Sequence, residues 1–220
     1  MKPETEKIFK KAKKGRLGKQ QSVPQNWMPI GKFYSFTQGG PLEIWLQMYG
    51  VQYGLLPEKR SPYSYREYLF KQSMAFRKKW QEKYARNAFT ICQEAYHVRY
   101  LQYLQVTLEL MEDQIPVIAN PALWWSPVKL YGVSDFIVHI SHIKDTFPEL
   151  FQELEDSGSS NEGYVIFEVK YSTSLKEYQT IQMMLNSYLL GHLQNWMPTR
   201  GFVVTRKGID RKSTRLNSSH

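Results

Sequence analysis

The sequence predicts an α/β fold with a helical front end, and three observations carry that expectation. From about Tyr65 to Glu112 there is no Gly, Pro or Asp-Gly break, and apolar residues recur at three- and four-residue steps. From Pro116 onward the texture changes to short β-branched and aromatic runs separated by turn residues. Between two of those runs lies one amphipathic stretch, "LKEYQTIQMMLNSYLLGHLQNW", so the tail of the chain orders strand, helix, strand.

The elements follow in chain order. Residues 1–26 read as a basic flexible tail. Lys2, Lys7, Lys10, Lys11, Lys13, Lys14, Arg16 and Lys19 crowd its start, which fits either a solvated tail or a nucleic-acid-binding arm. Residues 27–112 read as a helical layer. A helix is expected from Pro41 to Val51, after a Gly-Gly-Pro break. A second opens at Ser61-Pro62. It continues into a long helix whose apolar positions are Ile91, Ala95, Val98, Leu101 and Leu104. Residues 113–209 read as the core. "IPVIANPALWW" and "VKLYGVSDFIVHI" are expected strands, turned near Ser126-Pro127. "KDTFPELFQELEDSGSSNEG" is a polar connection with a helical turn. "YVIFEVKYS" is the next strand. The amphipathic helix that follows carries a stripe of Ile181, Met184, Leu185, Tyr188 and Leu189, and "RGFVVTRKG" is a last short strand. Residues 210–220, "DRKSTRLNSSH", have no periodicity and read as no fold element. They look like the translation of a sequencing-library adapter, so the expectation is a native reading frame cut near Ile209, with C-terminal elements missing.

Composition narrows the function classes. The 220 residues carry a formal charge of +9 and 15% aromatic residues. A basic chain favours an anionic partner, nucleic acid first and an acidic membrane surface second. Cys92 is the single cysteine, which excludes an internal disulfide framework and a Cys-rich zinc site and fits a reducing intracellular compartment. No apolar run approaches the about 18 residues of a membrane span, and the N-terminus has no apolar core of a secretory signal.

"FEVKYS" carries the chemistry. Side chains alternate across a strand, so Glu168 and Lys170 share a face with Tyr164 and Ile166, while Val165, Phe167 and Val169 take the other. An ionised acid on a buried strand face is costly unless it is paired or holds a metal. In "LYGVSDFIV", Asp135 is a second acid among apolar strand residues, and Gly132 upstream permits a bend or a close backbone approach. Two such acids point to a shared centre of hard oxygen ligands suited to Mg2+ or Mn2+. A lysine beside them can hold an attacking water and offset charge on a phosphate, a set that hydrolyses phosphodiesters. Asp135 as a strand-end hydrogen-bonding residue and Gln182 as an ordinary surface polar are the plain alternatives.

Gly-Val-Ser-Asp135, then Glu168-Val-Lys170, then a helix bearing Gln182, resemble the PD-(D/E)XK nuclease superfamily in its RecB-like branch, over about residues 107–206. The resemblance implies a restriction-endonuclease-like core, a mixed β-sheet flanked by helices. It implies a Mg2+- or Mn2+-dependent nuclease acting on nucleic acid, DNA foremost. Asp135, Glu168 and the backbone carbonyl of Val169 would ligate the metal, Lys170 would position and activate water, and Gln182 would orient it. Some members add an upstream histidine ligand. His97 is the candidate here, with Glu94 nearby. The branch usually places Tyr four residues after the Gln; this chain has Asn186 there, and its nearest tyrosine is Tyr188.

Arg77, Lys78 and Lys79 form a basic run that reads as a solvated face or as phosphate contacts of a DNA channel. Trp124 and Trp125 read as core or strand edge. His139 and His142 have a transition-metal spacing but no acid or cysteine partner close in sequence. The alternative function is a non-catalytic nucleic-acid-binding or scaffolding module of the same fold. A small-molecule hydrolase or transferase is disfavoured, because there is no Gly-rich phosphate loop, no G-x-S-x-G elbow and no Cys-His arrangement.

Overall fold

A computed structural model describes residues 23–24, 26–56, 65–91, 100–156 and 162–213. The chain is a mixed α/β protein. It starts with β1 (Met28–Pro29), a 3-10 turn (Ile30–Lys32) and α1 (Phe33–Tyr49). α1 is two helical pieces joined at Gly40, whose φ of 72° only glycine adopts freely; Pro41 then opens the second piece, where its missing N–H costs nothing. α2 (Tyr65–Tyr84), β2 (Phe89–Thr90) and α3 (Tyr100–Glu112) follow. The expected helical layer is interrupted by a strand: Phe89 and Thr90 pair in parallel with Ile118 and Ala119 of β3 (Val117–Ala119), and a long-range pairing overrides local helical composition.

The two expected long strands are four short ones. β3 and β4 (Ala122–Trp125) are separated at Asn120, which sits at a φ of 58°. β5 (Leu130–Val133) and β6 (Phe136–His139) are separated at Ser134-Asp135. Each break sends the chain from one sheet to another. β1, β5 and β4 form a three-stranded sheet, and β2, β3, β6, β7 (Tyr164–Val169), β8 (Arg200–Thr205) and β9 (Gly208–Ser213) form a six-stranded one in that order.

Two helices follow β6: α4 (Ile140–Thr146) starts at the last residue of the expected strand, and α5 (Pro148–Asp156) lies inside the expected polar connection; they bury Ile140, Ile143, Leu150 and Leu154. β9 is a further correction. Its residues pair antiparallel with β8 from Thr205↔Gly208 to Arg200↔Ser213, so the first four residues of the segment read as no fold element are strand.

β7 lies at the centre and shows the alternation expected of it. Tyr164 and Ile166 pack with α3 and with α6 (Glu177–Gln194) in one core that includes Tyr100, Leu104, Met183 and Leu190. Val165, Phe167 and Val169 join the opposite core with Trp80 of α2 and with α4 and α5. β7 and β8 are parallel, a pairing that needs a crossover, and α6 supplies it. The buried face of α6 is rotated from the predicted stripe: of that stripe Leu189 is buried with Met183, Asn186, Ser187 and Leu190, while Ile181, Met184, Leu185 and Tyr188 are half-buried. No described helix is long and apolar enough to cross a membrane.

Candidate functional site

The site is built where β6 stops and β7 continues. The antiparallel register runs His139↔Tyr164, Val138↔Val165, Ile137↔Ile166 and Phe136↔Phe167. One step further Asp135 faces Glu168, but there the chain has already left the sheet. Asp135 is thus not inside a strand, as the sequence reads, but at its mouth. Its carboxylate replaces the missing strand partner: Val169 N–H donates to Asp135 Oδ2 at 2.8 Å. A continuing strand would have offered a backbone carbonyl, and the carboxylate instead satisfies the donor while leaving a charge at the sheet end.

Glu168 is 1% exposed and points into the α6 side of the sheet. Lys170 Nζ donates to Glu168 Oε2 at 2.8 Å and lies 3.8 Å from Asp135 Oδ2. Asn186 Nδ2, from α6, donates to Glu168 Oε1 at 2.8 Å. Gln182 Oε1, one helical turn earlier, accepts from Lys170 Nζ at 3.4 Å. Two acids, an ammonium and the Gln182 amide therefore converge, drawn from the β6 mouth, β7 and α6. Burial raises the Glu168 carboxyl above its ordinary range, Lys170 opposes this, and the Asp135 charge adds to it. Burial alone would lower the Lys170 ammonium, but the charges of Glu168 and then Asp135 outweigh it and raise it, so Lys170 is held protonated.

Arg77 joins the site from α2. Its Nη1 lies 3.2 Å from Asp135 Oδ1, and its Nη2 donates to the Asp135 carbonyl at 2.9 Å and to Asn120 Oδ1. The guanidinium also stands over the Phe136 ring at 5.1 Å. Lys78 and Lys79 are exposed on α2, and Lys78 faces Glu82 at 3.9 Å. A helix turns 100° per residue, so three consecutive cations cannot share one face. Asn120 and Asn186 are site residues that the sequence reading missed. Asn186 lies four residues after Gln182, on the same helical face, and that spacing was its signal. For Arg77 the signal was Trp80 three residues on, which is buried against Phe136.

The remaining candidates lie elsewhere. Cys92, Glu94 and His97 fall outside the described residues. His139 caps α4 through Ser141, and His142 faces Tyr84 and Thr146, so the pair builds no ligand set. Trp124 is core against Trp27, and Trp125 stacks on His192 at 4.2 Å.

The donor chemistry fits a hard divalent cation in part. Two carboxylates and the Val169 carbonyl are the oxygen ligands such an ion takes, and each carboxylate oxygen keeps a lone pair beyond its present donor. Among the described residues, however, no group of three or more His, Cys, Asp or Glu gathers. Arg77 and Lys170 also balance the charge of Asp135 and Glu168. A cation at Asp135 has to share it with Arg77 or displace it. No family model matches the chain, and no curated protein matches it.

Proposed function

We propose that the protein is a metal-dependent phosphodiesterase with a restriction-endonuclease-like core, a nuclease acting on DNA inside the cell. One observation carries this reading: two carboxylates, Asp135 from the mouth of β6 and Glu168 from β7, lie within 4 Å of the ammonium nitrogen of the half-buried Lys170. Asp135, Glu168 and the Val169 carbonyl would hold Mg2+ or Mn2+. When bound, such an ion supplies Lewis-acid charge at the phosphate and lowers the pKa of a bound water. Lys170 would act as a positioned donor beside the metal. It hydrogen-bonds the attacking water or a non-bridging phosphate oxygen and offsets charge that grows on the phosphate. Gln182 fixes the direction of the Lys170 donor, and Asn186 fixes the Glu168 carboxylate.

The test is incubation with labelled single- and double-stranded DNA in Mg2+, Mn2+ or EDTA, beside Glu168→Ala and Lys170→Ala. The expected result is cleavage that needs metal and is lost in both variants. Equal cleavage by all three proteins would defeat the assignment.

The Arg77–Asp135 pair favours a second reading, a nucleic-acid-binding module of the same fold that does not cleave. With Arg77 in place the site is charge-balanced without any metal. Under that reading Mn2+ leaves the melting temperature unchanged, whereas a cation that binds the folded state raises it.

A further inference from the structure

We infer that α1 and the turn after it form the contact through which two copies of this chain associate as a two-fold dimer. That contact is independent of the phosphodiesterase reading, and its test needs neither metal nor nucleic acid.

From Gly39 to Leu56 the chain carries one charged residue, Glu43, and Gln47 Nε2 donates to its carboxylate at 2.6 Å. Leu42, Trp45 and Tyr49 follow at three- and four-residue steps and share one face of α1. On the inward side Ile44 is buried, and Met48 lines a cavity against the 3-10 turn. The second piece of α1 is thus apolar on both sides. A helix that is apolar all round belongs in an interior. From Pro41 to Tyr49 it is far too short to cross a membrane, which takes about 20 residues. It bears no lysine or arginine, so it lacks the cations that hold a helix on an acidic lipid surface or on nucleic acid.

The turn extends the patch. Tyr53 stacks on Trp45 at 5.4 Å, and Trp45 also meets Tyr49 at 5.9 Å. Tyr53 N–H donates to the Tyr49 carbonyl at 3.1 Å and Leu55 N–H to the Gly50 carbonyl at 2.7 Å, which fixes the turn as a shelf on the helix end. Leu42, Tyr53 and Leu55 are nonetheless 67%, 63% and 59% exposed, and Val51 is exposed as well. Monomeric proteins rarely show a contiguous apolar patch above a few hundred Å2.

Charge selects the occupant. The chain carries a formal +9, so two copies repel wherever their cations face each other. Contact through residues 39–56 brings no cation of that segment against its copy. A two-fold contact also needs a surface that complements itself, and an uncharged apolar one does. An acidic partner would seek cations, which this patch does not offer. Aromatic rings at the centre and the exposed Gln52 amide beside them match the makeup of stable interfaces, whose standard size is about 800 Å2 per partner.

The test is sedimentation velocity of the full chain over a wide range of concentrations, in EDTA. The 26.0 kDa chain is expected to pass to twice its mass and stop there. Leu42→Lys with Leu55→Lys sets cations against each other across the two-fold and should leave a monomer. Phe70→Lys puts the same charge on an exposed residue of α2 and should leave the dimer intact. Circular dichroism melts check that the variants fold. Leu42→Ser with Leu55→Ser adds no charge and should weaken the dimer about tenfold, so it decides the matter if the lysine pair fails to fold. A chain that stays monomeric, a mass that climbs without stopping, or a dimer unchanged by either pair overturns the inference. So does a dimer lost equally in Phe70→Lys.

Discussion

Asn186 donates its side-chain amide to Glu168 Oε1 at 2.8 Å, and both residues are buried, at 0% and 1% exposure. A charged acceptor in that position has no water to fall back on, so the amide is its replacement for solvent on one oxygen. Asn186→Leu removes the donor, pushes the Glu168 carboxyl further up, and is expected to cost about 1–3 kcal/mol in urea unfolding. Cleavage should fall with it, because Glu168 loses its fixed orientation. An unchanged unfolding midpoint would show that Glu168 draws nothing from the amide.

Gly132 tests the same contact from the other side. A Cβ there would lie 2.6 Å from Asn186 Oδ1 and 2.8 Å from the Ile30 side chain, both closer than real contacts allow. Gly132→Ala therefore displaces Asn186, with an expected loss of about 1–3 kcal/mol. Combined with Asn186→Ala, which vacates the space, the loss should be smaller than the sum of the two single losses. Strict additivity in a double-mutant cycle argues that the close approach is carried by Ile30 alone.

The alternation of β7 was legible because a strand buried on both faces has a period of two, and its apolar partners Ile166 and Phe167 mark the faces. That alternation put Glu168 and Lys170 on one side. Gly132 was legible as a close approach, though what approaches, Asn186 and Ile30, was not. The exit of the chain at Asp135 was hidden, because Val133, Phe136 and Ile137 continue a strand pattern across it. The break is set by contacts distant in sequence, from Asn120 and Arg77. Arg77 was hidden by its neighbours: Arg-Lys-Lys reads as one charged face, and only the packing of Trp80 turns its first member inward. The pairing of Phe89 and Thr90 was invisible for a related reason, since two residues carry no period and their strand is defined by β3.

Arg77 makes the charge of the site a matter of competition. Removing it by Arg77→Met leaves Asp135 with Lys170 as its ion-pair partner and takes one donor from Asn120, so the metal-free protein should melt at a lower temperature. The same change frees a carboxylate for a cation. Mn2+ is then expected to raise the melting temperature more in Arg77→Met than in wild type, and half-saturation should need less metal. A Mn2+ response identical in the two proteins would mean that Arg77 and the cation do not contend for Asp135.

Lys170→Met gives a pH dependence whose sign follows from the two raised pKa values. In wild type the ammonium is stabilised by Glu168 and Asp135. That stability is complete below the ordinary lysine pKa and is lost only as pH rises through the higher folded value, on the alkaline side. Glu168 runs the other way. Its folded pKa is raised, so the native state holds the proton more tightly than the unfolded chain does, and stability falls as pH rises from the ordinary carboxylate value to the raised one. Without Lys170 the main charge opposing that rise is gone, and the window extends upward. At acid pH Glu168 is neutral in both states, and the variant loses little. Toward neutrality the difference from wild type should widen, by at most about 1.4 kcal/mol per pH unit. Urea unfolding of both proteins at pH 5 and at neutral pH measures it. A difference that stays constant with pH would show that Glu168 is already compensated by Asn186, and that Lys170 serves the reaction more than the fold.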